Sequence, residues 1–180
     1  MFVGGETPEL VEHARSLQML LLDVDGVLTD GGIILFGESG EAKRFDVQDG
    51  MGIVLAREAG IKVGMVTSRE SEVVKRRARE LGLEEVFQGI RHKTEVFPLL
   101  LQRYNIEASQ AAYIGDDLQD IPILRRVGIP IAVQNAVQAV KECSVYVTTA
   151  CGGHGAVREA VEWLLELRGD RDKVYASITG

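Results

Sequence analysis

Positive charge is in short supply in this chain of 180 residues: 20 Lys and Arg stand against 27 Asp and Glu, for a formal net charge of −7. A nucleic-acid surface needs a basic stripe, so the balance argues against that class of partner. The few basic residues gain interest where they cluster. Cysteine is scarcer still. Cys143 and Cys151 have neither zinc spacing nor the density of a disulfide scaffold, so both read as reduced and structural, with cytoplasm as the default compartment. A basic start followed by an apolar segment, a run long enough to span a membrane, an internal repeat and a low-complexity tract are all missing. The expectation is a soluble protein without a membrane partner. It is read as one domain over 1–180, burying roughly 70% of its unfolded surface, with a helical extension over 1–17 and a tail over 170–180.

What is present begins with an apolar run, Met19-Leu20-Leu21-Leu22, that ends abruptly in Asp23-Val24-Asp25-Gly26. The run reads as a fully buried strand, and side chains two apart on an extended chain point the same way, so Asp23 and Asp25 can converge at its end. Two carboxylates that close need a cation between them, a shared proton, or different tasks. A bare D-x-D after a strand reads equally as a polar turn capped by acids. Upstream, Thr7-Pro8-Glu9 caps a short opening helix. Residues 31–47 read as a hairpin about Gly37-Glu38-Ser39-Gly40, with Ile33, Leu35 and Phe45 among its apolar members. Helices follow from about Asp49 to Gly60, from Ser71 to Gly82, through Val96 to Tyr104, around Val137, and from Ala156 to Leu167, where Trp163 lies on a packing face. Strands are expected over 61–66, around Val86 and Phe87, in Ala111-Ala112-Tyr113-Ile114-Gly115, over 129–133 and over 145–147. For the final residues, Arg171 to Gly180, polarity and small side chains permit either a loose tail or one that reaches a neighbour.

Strand and helix alternate throughout, which predicts an α/β fold: a Rossmann-like open parallel sheet with helices on both faces and a projecting hairpin. Right-handed crossovers then put Asp23, Thr67, Lys93 and Asp116 at or just beyond carboxyl ends of strands, the rim where such sheets bind ligands. Singly, each has a plain reading. A Thr at a strand end is a turn residue or a helix cap, and a Lys before a helix is a solvated charge. Asp117 and Asp120 read either as helix caps or as a shell that orients Lys93. His13 and His92 read as ordinary surface or packing histidines.

The ordered set of DGVLTDGG, FDVQDGMGI, the strand-end Thr67, QGIRHK, YIGDDLQD and GGHGAVRE resembles the haloacid dehalogenase superfamily, and within it the family of 3-deoxy-D-manno-octulosonate 8-phosphate phosphatases. That resemblance implies a Mg²⁺-dependent phosphatase in which Asp23 is the nucleophile and Asp25 the general acid and then base. It implies Mg²⁺ held by Asp23, the Asp25 carbonyl and Asp116, and a phosphoryl group gripped by Thr67 and Lys93. A substrate with a carboxylate at its far end needs a second anion site, for which Arg69 and Arg77 are the candidates, with Ser68 and Asp49 also placed against substrate. Arg76 and Arg79 read as a solvated basic face. The segments between motifs are too short for a cap domain. The resemblance implies instead that the hairpin over 32–46 covers a neighbour's site within a homotetramer, and that the reaction belongs to lipopolysaccharide biosynthesis.

Two positions depart from the family pattern: Ser68 follows Thr67 where Gly is common, and His154 stands where the late glycine loop often has Arg. Related phosphatases of nine-carbon sugar acids tend to carry Glu where Arg69 stands and Lys where Glu80 stands. This chain has the opposite charge at both, which favours the eight-carbon acid over the nine-carbon one. A signalling receiver would want a lone phospho-accepting Asp where Thr67 and Ser68 end their strand. An inactive phosphatase-like module serving only oligomerisation would have no need of intact Asp23, Asp25, Lys93 and Asp116.

Overall fold

The computed structural model describes residues 7–38 and 40–180. In chain order these form α1 (Pro8–Arg15), β1 (Met19–Leu22), β2 (Ile34–Phe36), β3 (Gly40–Ala42), α2 (Val47–Glu58), β4 (Lys62–Val66), α3 (Glu72–Glu80) and β5 (Glu85–Phe87). There follow α4 (Val96–Tyr104), β6 (Ala111–Gly115), α5 (Ile121–Leu124), β7 (Ile129–Ala132), α6 (Gln138–Glu142), β8 (Tyr146–Val147), α7 (Ala156–Arg168) and α8 (Arg171–Thr179). Side-chain caps fix several starts. Thr7 accepts from the Leu10 N–H at 3.2 Å, Asp46 from Gln48 at 2.7 Å and Ser71 from Val74 at 3.3 Å, each satisfying a donor the helix leaves open. Asp46 therefore starts α2 two residues earlier than apolar periodicity alone suggests.

The main sheet has six parallel strands in the order β5-β4-β1-β6-β7-β8. All four residues of β1 are buried, the state of a strand covered on both faces, where polar alternation disappears. The chain runs from β1 to β4 and β5 on one side, then returns past β1 to β6, β7 and β8 on the other. That reversal makes the carboxyl ends of β1 and β6 a topological switch point, where open α/β sheets leave a crevice. Register aligns the rim: Leu22 lies opposite both Met65 and Ile114, so the residues that follow each strand emerge side by side.

α1 and α2 pack against α7 on one face of the sheet. β2 and β3 form a separate antiparallel pair, with Ile34 opposite Ala42. Ser39 of the expected turn, and the opening residues 1–6, lie outside the described residues. The tail is not loose: residues 171–179 form α8, folded back so that Val174 is buried and the Tyr175 hydroxyl bonds Glu162 on α7. A single buried apolar position gives almost no helical periodicity, and the contact with α7 supplies what local sequence does not. Trp163 on α7 stacks on Tyr146 with ring centroids 4.3 Å apart, a packing role. No helix among the described residues is long and apolar enough to cross a membrane.

Candidate active site

Four loops leaving the carboxyl ends of β1, β4, β5 and β6 bring their polar residues together. Asp23 extends β1 by one rung, its N–H donating to the Ile114 carbonyl at 3.0 Å, and is almost wholly buried. Its Oδ1 accepts from the Val24 N–H at 2.7 Å and lies 2.9 Å from the Lys93 ammonium. Lys93 opens a 3-10 turn, Lys93–Glu95, just before α4, and its side chain is only 1% exposed. An ammonium so buried must be paired. It also reaches Asp120 Oδ1 at 2.6 Å and the Tyr113 hydroxyl at 3.0 Å, and that hydroxyl donates to the same Asp120 oxygen at 2.7 Å.

The acidic pair after β6 divides its labour. Asp120 is fully buried, and its Oδ2 accepts from the N–H groups of Asp116 at 2.9 Å and Asp117 at 3.2 Å. It fixes both Lys93 and the loop that carries Asp116. Asp117 is exposed and caps the following turn through the Leu118 N–H at 2.7 Å. Carboxylate oxygens of Asp23, Asp116 and Asp120 lie within 4.8 Å of one another, a spacing that would hold a cation. Asp116 Oδ1 is buried and has no hydrogen-bond partner among the described residues. Gly26 closes this corner at φ +91°: a Cβ there would stand 2.0 Å from Asp116 Oδ2. An orphaned carboxylate oxygen, a cradle open only to glycine and an all-oxygen donor set fit a hard divalent ion.

Electrostatics agree with that fit. Burial pushes the Asp23 carboxyl up to about 6, with Lys93 opposing the rise and Asp120 adding to it. Burial, then Asp23 and Asp120, push Asp116 up to about 8. For Lys93, burial works against the ammonium, but Asp23 and Asp120 outweigh it and the group is raised above its ordinary value. A folded-state carboxyl that holds its proton above its unfolded value favours folding at low pH, and that advantage is lost as pH rises through the interval between the two. In the metal-free protein the stability that these two carboxyls contribute is therefore expected to be lost from about pH 4 to about pH 8, the span between ordinary Asp and Asp116. Added Mg²⁺ should raise the melting temperature more at pH 8 than at pH 5. Scanning calorimetry at several pH values with and without Mg²⁺ checks this; a pH-independent metal effect would show that these carboxyls are not the binding groups.

Thr67 follows β4 and is buried, its N–H bonded to the Phe87 carbonyl at 2.9 Å and its hydroxyl accepting from the Arg69 N–H at 3.3 Å. Ser68 is half-buried beside it. Asp25 is not one of the three clustered carboxylates. Its Oδ1 is bonded by the ammonium of Lys43, just after β3, and its Oδ2 lies 3.9 Å from Arg69 Nε. Arg69 also lies 3.5 Å from Glu41 Oε2, while the other oxygen of Glu41 accepts from the Ser71 hydroxyl.

The remaining expected site residues have partners within the chain. Arg77 sits over the Phe45 ring, 5.9 Å from its centroid, and pairs with Glu80 at 3.5 Å. Asp49 is buried, and both its oxygens are taken by the start of α7, from Gly155 at 3.2 Å and Arg158 at 3.0 Å. It caps that helix, and because the chain between these two segments is long, no local signal showed it. His154 bonds Arg44 of the hairpin and the Gly152 carbonyl. His92 precedes the turn that begins at Lys93 and takes part through its backbone carbonyl, which accepts from the Glu95 N–H at 2.9 Å, and His13 bonds the Gly128 carbonyl at 3.2 Å.

Four contributors were not expected from the sequence: Lys43, Glu41, Tyr113 and Asn135. Asn135 stitches the β1 loop to the glycine loop, donating to the Gly26 carbonyl at 3.2 Å and accepting from the Gly152 N–H at 2.6 Å. A Cβ on Gly152 would fall 1.8 Å from the Gly26 oxygen, so the two backbones touch. Tyr113 reads as core in an apolar strand. Lys43 and Arg44 were the one visible hint, a basic pair in a chain poor in such residues.

Comparison with known proteins gives concordant findings. The haloacid dehalogenase-like hydrolase family matches over residues 85–159. The 3-deoxy-D-manno-octulosonate 8-phosphate phosphatase KdsC of Salmonella typhimurium is 38% identical over 170 residues, covering 94% of this chain and 90% of that protein. A crystal structure of the Moraxella catarrhalis phosphatase of the same name, in complex with magnesium, phosphate and KDO, is 39% identical with a TM-score of 0.91, over 96% of this chain and 99% of that one. A putative subfamily III A hydrolase of the haloacid dehalogenase superfamily from Legionella pneumophila is 37% identical, also at a TM-score of 0.91, over 95% of this chain and 94% of that one.

Proposed function

Since the chain belongs to the haloacid dehalogenase-like hydrolases, in the family of 3-deoxy-D-manno-octulosonate 8-phosphate phosphatases, we propose that it hydrolyses that ester to the free sugar acid and phosphate. The observation that carries the reading is the convergence of Asp23, Lys93 and Asp116 on the rim of the central strands. Asp23 attacks phosphorus, and the bond from phosphorus to the sugar oxygen breaks as an aspartyl phosphate forms. Asp25 gives its proton to that leaving oxygen, then takes one from the water that hydrolyses the acyl phosphate. Bonds from Lys93 and the Val24 N–H to one oxygen of Asp23 fix the plane of the attacking carboxylate. Thr67 and Lys93 bind the transferring phosphoryl oxygens.

Asp23, Asp116 and the Asp25 carbonyl are the groups we assign to Mg²⁺. When bound, the ion neutralises these carboxylates and the charge on the phosphoryl group. Asp120 and Tyr113 keep Lys93 aimed at Asp23. Arg69 is the better placed of the two arginines for the sugar carboxylate, since it stands on the rim beside Asp25 while Arg77 is engaged over Phe45. The charge of Arg69 at that point supports the eight-carbon acid over a nine-carbon one.

Ile33, Ile34, Leu35 and Phe36 are between 54% and 69% exposed. Four consecutive apolar residues open to water call for a cover, and we assign it to another copy of the chain within a homotetramer. Release of phosphate from a panel of eight-carbon and nine-carbon sugar acid phosphates, with and without Mg²⁺, tests the whole reading when run on a sample sedimented under assay conditions. Mg²⁺-dependent release, best for the eight-carbon ester and from a tetramer, is expected. Preference for the nine-carbon ester would reassign the substrate, an active monomer would remove the assembly, and silence across the panel would leave only an oligomerisation module.

A further inference from the structure

The hairpin does more within its own chain than present an apolar strand. Lys43, on the stretch leaving β3, sends its ammonium to Asp25 Oδ1, and its side chain is 1% exposed. Two residues earlier, Glu41 binds the Ser71 hydroxyl, and its second oxygen lies 3.5 Å from Arg69. Arg69 in turn stands 3.9 Å from Asp25 Oδ2. Asp25 is thus flanked on both oxygens, by a buried Lys from the hairpin and by an Arg from the β4 loop. The second of these contacts is long and the Arg half-exposed, so Lys43 is the tighter restraint. An ammonium is buried in this way only against a fixed partner, and nothing in the folding of a surface hairpin requires one.

We propose that Lys43 is a positioning residue for Asp25, holding its carboxyl group in the orientation from which it serves the leaving oxygen, so that the hairpin's seating governs this group. This deepens the proposed function and rests on it. In the step concerned, the bond from Asp23 to phosphorus forms, the bond from phosphorus to the ester oxygen breaks, and the Asp25 proton moves to that oxygen. A sugar alkoxide cannot leave without the proton. p-Nitrophenolate can. Misplacing Asp25 should therefore penalise the first kind of ester and largely spare the second, a pattern that a general loss of folding or of phosphate binding would not produce.

The test compares kcat/KM, which reports events up to leaving-group departure, for 3-deoxy-D-manno-octulosonate 8-phosphate and p-nitrophenyl phosphate. In Lys43→Met the sugar ester should lose about a hundredfold, within the range a general acid contributes, and the aryl ester only a few-fold. Lys43→Arg, which keeps the charge, should recover most of the ratio. If Lys43→Met does not fold, Lys43→Gln is read by the same ratio. Equal losses on both esters, or no loss on either, overturn the inference while wild-type activity leaves the proposed function standing. A wild-type enzyme inactive on both esters overturns the two together.

Discussion

Asp23→Asn should stop phosphate release almost completely, with a loss on the order of 10⁴-fold or more, as expected when a nucleophile that acts in concert with its neighbours is removed. The amide matches the carboxylate in shape and can keep the Val24 contact, but it cannot attack phosphorus. The loss should come without any loss of fold. The Asp23 carboxyl is pushed up to about 6, so its ionisation opposes folding as pH rises from the ordinary Asp range through that value. A neutral Asn escapes that penalty. In metal-free buffer at pH 7.5 the variant should melt no lower than wild type while its phosphate release is at background. Residual turnover within tenfold of wild type would remove Asp23 from the chemistry; collapse of the melting temperature would leave the activity loss unexplained by chemistry.

Lys93→Met should damage both stability and activity. The ammonium is the positive charge between Asp23 and Asp120 and also meets the Tyr113 hydroxyl. Its removal leaves buried carboxylates facing one another, for which a cost of about 3–5 kcal/mol is typical. Protonation of a carboxyl can relieve part of that cost, so the gap from wild type should widen as pH rises from 6 to 8 in the absence of metal. Urea unfolding at the two pH values measures it. Activity should fall at least about a hundredfold through the lost phosphoryl contact. Equal stability of variant and wild type at pH 8 would mean that Lys93 is not the counter-charge the geometry makes it.

Most of the sheet was legible because β1, β4, β6 and β7 are short buried apolar runs with sharp polar ends, and because those ends fall on one rim. Asp23, Thr67 and Asp116 could be placed from that alone, and Lys93 from the short strand around Val86 and Phe87 that precedes it. Two kinds of feature could not. One is a contact between segments remote in sequence, such as Asp49 on the start of α7, Lys43 on Asp25 or Asn135 between two glycine-bearing loops; local pattern carries no trace of which acid or amide meets which backbone. The other is structure held by tertiary contact, such as α8, where Val174 and Tyr175 lean on α7 and intrinsic propensity is indifferent. Arg77 belongs with the first kind. As a guanidinium that could match a carboxylate it was a candidate for the second anion site, and its contact with the Phe45 ring, from a segment remote in sequence, left no local trace.

The backbone contact between Gly26 and Gly152 also decides how a molecule reaches the nucleophile. Those two loops, joined through Asn135, seal one flank of the crevice without a side chain that could swing aside. Solvent meets Asp25 and Arg69, 21% and 42% exposed, while the Asp23 side chain is only 4% exposed behind them. The more open side of Asp23 is therefore the one bordered by Arg69 and the hairpin, where Lys43 and Arg69 stand paired with Asp25 and Glu41.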